Sequence, residues 1–590
     1  MAKKTKGKAR GKKRKSPQEL AQARSKRQLY RELRNLITSL GFKRILSDDI
    51  EIQVAGRTGE IDDIFIHENV ILAIEYTVGK PSSSHILKKI PLYQRMLLRP
   101  GDFIDVARSH YAGFADALNP QYDDDQYHIR ILYVPMLDAA QETIDACPDV
   151  TFFQGSLRKY FVALGKTIQR SARVEFFSFL KLAWDDVGPA SIKAASSSIN
   201  FTGHLLPESM SSFPAGFKVV SFYADPESLI AGAYVLRRDG WRDETHMYQR
   251  ILVRAKIAKM RKYLIDQKRV FINNIIVTLP ADTAINKASG KNENLDEKQL
   301  AKAQAVSINI PTGHGIIGII DGQHRIFCYH EGEDSLDPQI AVLRTKQHLL
   351  VTGIIYPPHI REKARLEFEA RLFLEINDTQ TRARPGLRQD IETIVRPFSG
   401  IAVARRVIAD MSKRGAFAGA FQLGYFDSPS KIKTSSIVSY GLRPLVKFDG
   451  LDSLFHAWTN PKKQRLKERE KRSVRGTGYD EDLELLEHYI QFCVKVINDF
   501  MLAAKLCHGT DNWDVEAETP SELLRPTSIN GLIACLRRVI EADLPLNQAA
   551  HTKAFRTLSS FEFSTYRSSQ WDALGQLLFR RFFQKSGSPN

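Results

Sequence analysis

Apolar residues recur along this chain in two rhythms. From Ser25 to Leu40 they fall at Leu29, Leu33, Leu36, Ile37 and Leu40, the spacing of one helical face, and the pattern stops at Gly41. Three short runs with the composition of strands follow, at Ile50–Val54, Ile61–Ile66 and Val70–Val78, the last two joined by a turn at His67-Glu68-Asn69. A helix is predicted over Ser83–Leu98 and a strand over Ile129–Pro135. The Ala- and Ser-rich stretch Asp185–Asn200 breaks the pattern and reads as a linker. Strand-like runs return at Phe271–Val277 and Ile316–Ile320. Beyond Arg396 the pattern is mostly helical, clearest over Glu481–Cys507, where Leu483, Leu486, Tyr489, Ile490, Cys493, Ile497 and Phe500 share a face. No repeat of solenoid period is present. The expectation is a multidomain α/β protein: a disordered basic tail (1–24), an α/β domain (25–185), a linker (186–214), an α+β domain (215–400) and a helical carboxy-terminal region (401–590).

Length and charge sharpen this picture. A chain of 590 residues is long enough for three to four domains, each with its own core. Lys and Arg number 85 against 67 Asp and Glu, a net charge of +18, which points to a polyanionic partner. Nine of the basic residues lie within residues 1–15, among them Lys12, Lys13, Arg14 and Lys15. A second cluster begins at Lys462, Lys463 and Arg465 and runs to Arg475. Each is a candidate DNA contact, and each also fits a solubilising segment. No run of eighteen apolar residues exists and no apolar stretch follows the basic amino terminus, so neither a membrane span nor a secretion signal is expected, and the predicted location is cytoplasmic. Five Cys without any C-x-x-C pair argue against a structural zinc ribbon and fit a reducing compartment.

The sharpest chemical signal is Asp321-Gly322-Gln323-His324-Arg325, directly behind the apolar run Ile316–Ile320. Gly322 permits a tight corner and close approach to a ligand. Arg325 offers a fork that matches phosphate oxygens, and His324 is a donor of the side-chain type whose charge changes near neutrality. Read from the residues, this is a phosphate site at a sheet edge or an ordinary Asp-Gly surface turn. No G-x-x-x-x-G-K-[ST], H-E-x-x-H or G-x-S-x-G motif exists, so nucleotide hydrolysis would have to occur at this corner.

The surroundings of the corner resemble the DGQHR-domain family, the DndB-like regulators of DNA phosphorothioation. The shared features are Tyr248-Gln249-Arg250 opening a basic helix with Arg254 and Lys256, the strand near Phe271–Val277, and the downstream Phe373-Leu374-Glu375-Ile376-Asn377 with Gln380. The resemblance spans about residues 215–400. That family is similar in turn to the ParB/sulfiredoxin fold, in which such a corner holds nucleotide phosphates. Where sulfiredoxin carries a reactive Cys this chain has Gln323, and an amide cannot act as a nucleophile, so sulfiredoxin chemistry is excluded. The resemblance implies an NTP site, ATP favoured and with Mg²⁺. Asp321, Gln323, His324 and Arg325 would be its catalytic residues, and Gly322, Tyr248, Gln249, Arg250, Arg254, Asn377 and Gln380 its binding residues. It further implies a nucleotide-dependent DNA-binding protein of a prokaryotic DNA-modification or phage-defence system, with DNA, nucleotide and other proteins of such an operon as partners.

A second resemblance lies nearer the amino terminus. Gly59-Glu60-Ile61-Asp62-Asp63-Ile64-Phe65-Ile66 followed by Ile71-Leu72-Ala73-Ile74-Glu75-Tyr76-Thr77 resembles the PD-(D/E)xK restriction-endonuclease-like core. The resemblance implies that Asp62 and Glu75 hold Mg²⁺, with Glu32 as a further acid from the first helix. The usual Lys, two residues after the Glu, is Thr77 here. Lys80, through a bulge at Gly79, or Lys88 or Lys89, from the following helix, are the replacements the sequence offers. A working nuclease and a degenerate DNA-binding version both remain open, as do two solvated strand-edge acids.

Overall fold

The apolar stripe from Leu29 to Leu40 closes against a sheet as one long helix. In a computed structural model of the protein, which describes residues 17–78, 83–191, 198–237, 251–288, 293, 295–378, 385–424, 426–472, 477–509 and 513–584, that helix is α1 (Pro17–Ser39). It begins eight residues before the expected start at Ser25, because its first turns are polar and carry no period. It ends where Gly41 takes φ +93° and the Phe42 N–H reaches back to the Ile37 carbonyl at 3.4 Å, a glycine-dependent helix stop.

The strands then run β1 (Lys43–Ile45), β2 (Glu51–Val54), β3 (Arg57–Glu60), β4 (Asp63–His67) and β5 (Val70–Thr77). β2 and β3 pair only with each other, through a turn in which Ala55 and Gly56 both have positive φ, the conformation of a tight hairpin. Helices α2 (Ser83–Leu98) and α3 (Pro100–His110) follow, then β6 (His128–Pro135), β7 (Val150–Phe152) and α4 (Gly155–Ile168). The sheet order is β1-β4-β5-β6-β7, antiparallel at β4–β5 and parallel at β5–β6, so α2 and α3 form the crossover a parallel pair requires. All eight residues of β5 are buried, which explains its unbroken apolar run around one charged residue, Glu75.

A second, mixed sheet is built from β8 (Ser198–Leu206), β9 (Lys218–Ala224), β10 (Ala233–Tyr234), β11 (Ile275–Leu279), β12 (Ala284–Lys287), β13 (Gln304–Pro311), β14 (Ile317–Asp321) and β15 (Leu349–Ile355), in the order β10-β14-β11-β15-β9-β8-β13-β12. Among the helices that accompany it are α5 (Arg254–Gln267), α6 (Gln323–Phe327) and α7 (Asp337–Lys346). Three expectations change here. β8 lies inside the expected linker and is bonded on both sides, to β9 and β13. The strand expected from Phe271 starts at Ile275. The basic helix expected to open at Tyr248 starts at Arg254, after the non-helical Ile251–Val253.

By its internal packing the chain divides into two units. The first holds residues 1–234 and 252–358, hence both sheets; the second holds 235–251 and 359–590. The second unit is helical, with α8 (Glu362–Asp378), α9 (Pro385–Val395), α10 (Gly400–Lys413), α11 (Gln464–Lys471), α12 (Tyr479–His508), α13 (Pro526–Glu541) and α14 (Trp571–Phe582). One apolar cluster, including Val407, Leu486, Ile490, Ile497, Leu532 and Leu574, forms its core. The expected boundary at residue 400 thus falls inside this unit. Among the described residues no helix is long and apolar enough to cross a membrane.

Candidate functional site

Two strands and one helix converge on a polar face in the first unit. The β4–β5 ladder pairs Asp63 with Ile74 and Ile64 with Ala73, and the same register sets Asp62, just before β4, opposite Glu75. Opposed residues of an antiparallel pair project to the same side, so both carboxylates share one face. The Tyr76 N–H donates to Asp62 Oδ2 at 2.7 Å and fixes it. Across this face α2 presents His85, Lys89 and Tyr93, spaced i, i+4, i+8 and therefore on one stripe. All three reach Glu75. Lys89 Nζ lies 3.2 Å from its carboxylate, Tyr93 Oη donates to it at 3.0 Å, and His85 Nε2 stands 3.8 Å away. Lys89 also donates to the Glu60 carbonyl at 2.8 Å, which orients its ammonium group.

Burial sets the electrostatics of this face. Glu75 is 4% exposed; desolvation pushes its carboxyl up to about 7, the Asp62 charge adds to the rise, and Lys89 and Tyr93 oppose it. Asp62 is raised by the same first cause, against the Tyr76 N–H and Lys89. Burial, then Lys89, lowers His85. Magnesium is held by one or two carboxylates together with substrate phosphates, and Asp62 with Glu75 is a donor set of that kind. Among the described residues no group of three or more His, Cys, Asp or Glu converges to hold a metal, so the two carboxylates would need phosphate and water to complete a shell.

Thr77, in the expected lysine position, faces the same side as Glu75 but is buried, donating through Oγ1 to Tyr133 Oη at 2.6 Å. It is part of the wall, and the ammonium group that reaches Glu75 is that of Lys89. Lys88 is exposed, and Lys80 lies outside the described residues. The neighbouring Asp63 points through the sheet to Arg34 (2.7 Å), Arg44 (2.6 Å) and the Tyr76 hydroxyl (2.9 Å), fully buried. That pairing is structural.

Glu32 is not brought to Asp62 and Glu75. The α1 residue turned toward β5 is Tyr30, which stacks on Tyr76 at 4.0 Å; burial raises its hydroxyl pKa, and the charges of Asp62, Asp48 and Glu75 add to the rise. A helix turns about 200° in two residues, so Glu32 faces away. It sits 3.9 Å from Lys166 Nζ in a cleft of about 740 Å³ that Arg31, Lys166 and Arg254 also line.

At the DGQHR corner, β14 ends at Asp321 and Gly322 turns with φ +100° into the short helix α6. A Cβ at Gly322 would come within 3.0 Å of Ile275 Cγ1 and 3.1 Å of Arg325 Nη2, so this position needs glycine on two counts. Arg325 folds back over it to bond Asp321 Oδ2 at 2.6 Å, while its Nε is buried without a partner. Gln323 is buried. His324 Nε2 accepts the Val253 N–H at 3.4 Å. Behind the corner, the fully buried Arg261 donates to the carbonyls of His330 (2.8 Å) and Cys328 (3.4 Å) and pairs with Asp334 (3.0 Å). Arg344 adds bonds to the Tyr329 carbonyl (2.6 Å) and Asp337 (2.9 Å). The turn after α6 is thus clamped by two guanidinium groups. Cys328 is buried, and desolvation raises its thiol pKa.

Other predicted residues are placed as follows. Tyr248, Gln249, Arg250, Gln380, Lys12, Lys13, Arg14 and Lys15 lie outside the described residues. Asn377 lies on α8 in the second unit, whereas the corner belongs to the first. Arg254 opens α5 and lines the 740 Å³ cleft. The second basic cluster is largely spent on its own fold. Lys463 Nζ bonds the carbonyls of Phe455, His456 and Trp458 at 2.9–3.1 Å, Arg465 pairs with Asp482 and Glu481, and Arg469 is buried against Asp482 at 2.6 Å. Lys462 is exposed. These cations complement the acidic first turn of α12, which is why a cationic string in sequence does not become a cationic groove.

Sequence reasoning missed His85, Tyr93 and Arg261. The signal for the first two was the i, i+4, i+8 stripe through Lys89. For Arg261 it was an arginine on the apolar line Ile257–Arg261–Leu264. Compared with protein-family models, with curated proteins and with solved structures, the chain matches none of them.

Proposed function

We propose that the first unit contains a restriction-endonuclease-like domain that hydrolyses a phosphodiester bond of DNA with Mg²⁺, using Asp62, Glu75 and Lys89. One observation carries this reading: α2 delivers Lys89 to within 3.2 Å of Glu75, supplying the ammonium that Thr77 does not. The mixed sheet with antiparallel β4–β5 and parallel β5–β6 supports the fold assignment. Asp62 and Glu75 would hold the cation, which when bound lowers the pKa of water and neutralises phosphate charge. Lys89 would stabilise negative charge developing on the phosphate oxygens as water adds and the P–O bond breaks. Tyr93 and the Glu60 carbonyl keep the two charged groups in place. The test is incubation of plasmid and linear duplex with Mg²⁺ or Mn²⁺, with and without ATP. Metal-dependent nicking lost in Asp62→Ala and Lys89→Ala is expected. Cleavage that survives both Asp62→Ala and Glu75→Ala, or none under any cation, overturns the reading.

A second reading is favoured by the corner, where Gly322 turns the chain and the Arg325 Nε lacks a partner. It is a ParB/sulfiredoxin-like DGQHR domain that binds NTP, ATP first, and sets DNA binding or cleavage in a DndB-like DNA-modification or phage-defence system. ATP, GTP and CTP titrations on wild type and Arg325→Ala test it; unchanged affinity in the variant removes the site.

A further inference from the structure

The sequence draws attention to the tail and to residues 462–475 as polyanion contacts, yet among the described residues an unpaired positive surface lies on α5 and α1. On α5, Ile257, Arg261 and Leu264 form the buried line, and the opposite face carries Lys256, Lys259 and Lys262, all exposed and none in an ion pair among the described residues. The only acid on that helix is Asp266. Spaced three residues apart, these lysines rise about 4.5 Å per step along the helix, so the row of three spans between two and three phosphate steps of one DNA strand at roughly 3.4 Å each.

The cleft lies at the amino end of the same helix. Arg254, at the first turn of α5, lines it together with Arg31 of α1 and Lys166 of α4. The acids of that cleft are already matched: Glu32 to Lys166 at 3.9 Å, Glu333 to Arg170 at 2.8 Å and Asp334 to Arg261 at 3.0 Å. Arg254 and Arg31 form no ion pair among the described residues. On α1, Arg24, Arg27 and Arg31 fall, at about 100° per residue, on the strip between the edge that carries Tyr30 and the edge that carries Glu32. All three are exposed, and none is in an ion pair among the described residues. The strip therefore runs along α1 from the cleft side toward the edge that carries Tyr30.

We propose that the α5 lysine row, Arg254 and the α1 arginine strip form a surface of the first unit that holds the phosphate backbone of duplex DNA. Charge complementarity selects the occupant: the surface is cationic, has one exposed acid on α5, and offers, among its described residues, no exposed aromatic ladder of the kind that stacks single-stranded bases. The proposal rests on the reading of the first unit as acting on DNA, and its contacts are sequence-independent because lysine and arginine here meet phosphate rather than base edges.

The test measures binding of a fluorescent duplex by the full chain across a salt series in EDTA, where metal-dependent cleavage cannot interfere. The triple variant Lys256→Ala, Lys259→Ala, Lys262→Ala should lower the slope of log K against log salt by about 2–3, at roughly 0.9 for each phosphate no longer neutralised, and weaken binding at low salt by at least tenfold. The triple Lys→Arg variant should keep the wild-type slope. Lys462→Ala combined with Lys471→Ala should leave it unchanged. An α5 triple-Ala variant with the wild-type slope overturns the proposal, as does loss of affinity confined to single-stranded RNA of the same length. Cleavage assayed in parallel separates the two readings. Salt-sensitive, α5-dependent binding without any cleavage leaves this surface standing and removes the nuclease, whereas metal-dependent cleavage with an unaltered slope does the reverse.

Discussion

The Asp62–Glu75 face and the DGQHR corner use arginine, lysine and acid in opposite ways. At the corner the charges close on one another: Arg325 bonds Asp321 four residues back at 2.6 Å, and the groups behind it are tied to carbonyls by Arg261 and Arg344. On the face, Lys89 is the lysine that comes within 4 Å of Glu75, while among the described residues Asp62 takes a backbone N–H. The face therefore carries a buried acid, with Glu75 raised to about 7, whereas the guanidinium of the corner is closed onto Asp321. A strongly spelled motif marks the corner, but the perturbed acid marks the face, and perturbed groups in a constrained polar setting are the better sign of chemistry.

The largest effect expected is on the frame of the corner. Arg261 is about 2% exposed and serves two carbonyls and the carboxylates of Asp334 and Asp337. Arg261→Met would leave the Cys328 carbonyl without this donor and Asp334 without its cation, while the His330 carbonyl and Asp337 keep Arg344, and should cost about 3–5 kcal/mol of stability. Urea unfolding followed by near-ultraviolet circular dichroism measures it. A loss below about 1 kcal/mol would mean that the corner is not held from behind, and the contrast would fail on its structural side.

Lys89→Ala sharpens the other side. Removing a single preorganised donor to a developing charge costs about 10²–10³ in rate, and Lys89→Ala should lower metal-dependent cleavage by that factor while the affinity for duplex in EDTA changes by less than about threefold. Lys88→Ala, one residue along and exposed, should do neither. Equal losses in both variants would make the effect one of general charge.

Glu75 gives a pH test with a defined sign. A carboxyl raised from 4.5 to about 7 holds its proton more tightly folded than unfolded, so between those values stability falls as pH rises. The whole difference is worth up to roughly 3 kcal/mol. Glu75→Gln should flatten that slope and leave the variant more stable than wild type at about pH 8. Cleavage should change the other way, rising as pH passes through about 7 and the carboxylate becomes free to meet a cation. A thermal-shift series across pH, with and without Mg²⁺, reads the first effect. Parallel slopes in the two proteins would show that Glu75 is not the buried acid of this face.

Much of this contrast was legible in the sequence, and what was not follows from the kind of information each step needs. Helix Ser83–Leu98 and strands β5 and β6 follow directly from period and apolar runs, because burial on one or both faces writes itself into composition. The antiparallel pairing that sets Asp62 opposite Glu75 was also readable, since the turn at His67-Glu68-Asn69 fixes the register. The source of the lysine was not, because the distance from α2 to β5 is a packing distance and three lysines qualified. Glu32 failed for a simpler reason: its neighbour two positions earlier, Tyr30, already occupied the side of α1 turned toward β5. Within the cluster at 462–475, the pairing of Arg465 and Arg469 was not legible because their partners, Glu481 and Asp482, open the next helix, and pairing across such a turn is invisible to a count of charges. β8 was missed since half of its residues, such as Asn200, Thr202 and His204, face outward on a polar side, and a one-sided strand of that composition reads as a loop.

The smallest effect expected is the one that decides whether the corner binds anything. The Arg325–Asp321 pair is partly exposed, with side chains 20% and 34% accessible, and pairs of that type are worth about 0.2–1 kcal/mol. Arg325→Ala should therefore shift the melting temperature only slightly. If phosphate replaces Asp321 as the partner of this guanidinium, the same substitution removes charge-assisted bonds of about 1.5–3 kcal/mol, and nucleotide affinity should fall by roughly tenfold or more. Asp321→Asn separates the two roles: it frees Arg325 from its internal partner and should tighten nucleotide binding where Arg325→Ala weakens it. Calorimetric titration of both variants with ATP reads opposite signs if the corner is a phosphate site whose empty state is closed by Asp321. Changes of the same sign, or none, would leave Arg325 as a latch between β14 and α6, and the chemistry of the first unit with the Asp62–Glu75 face alone.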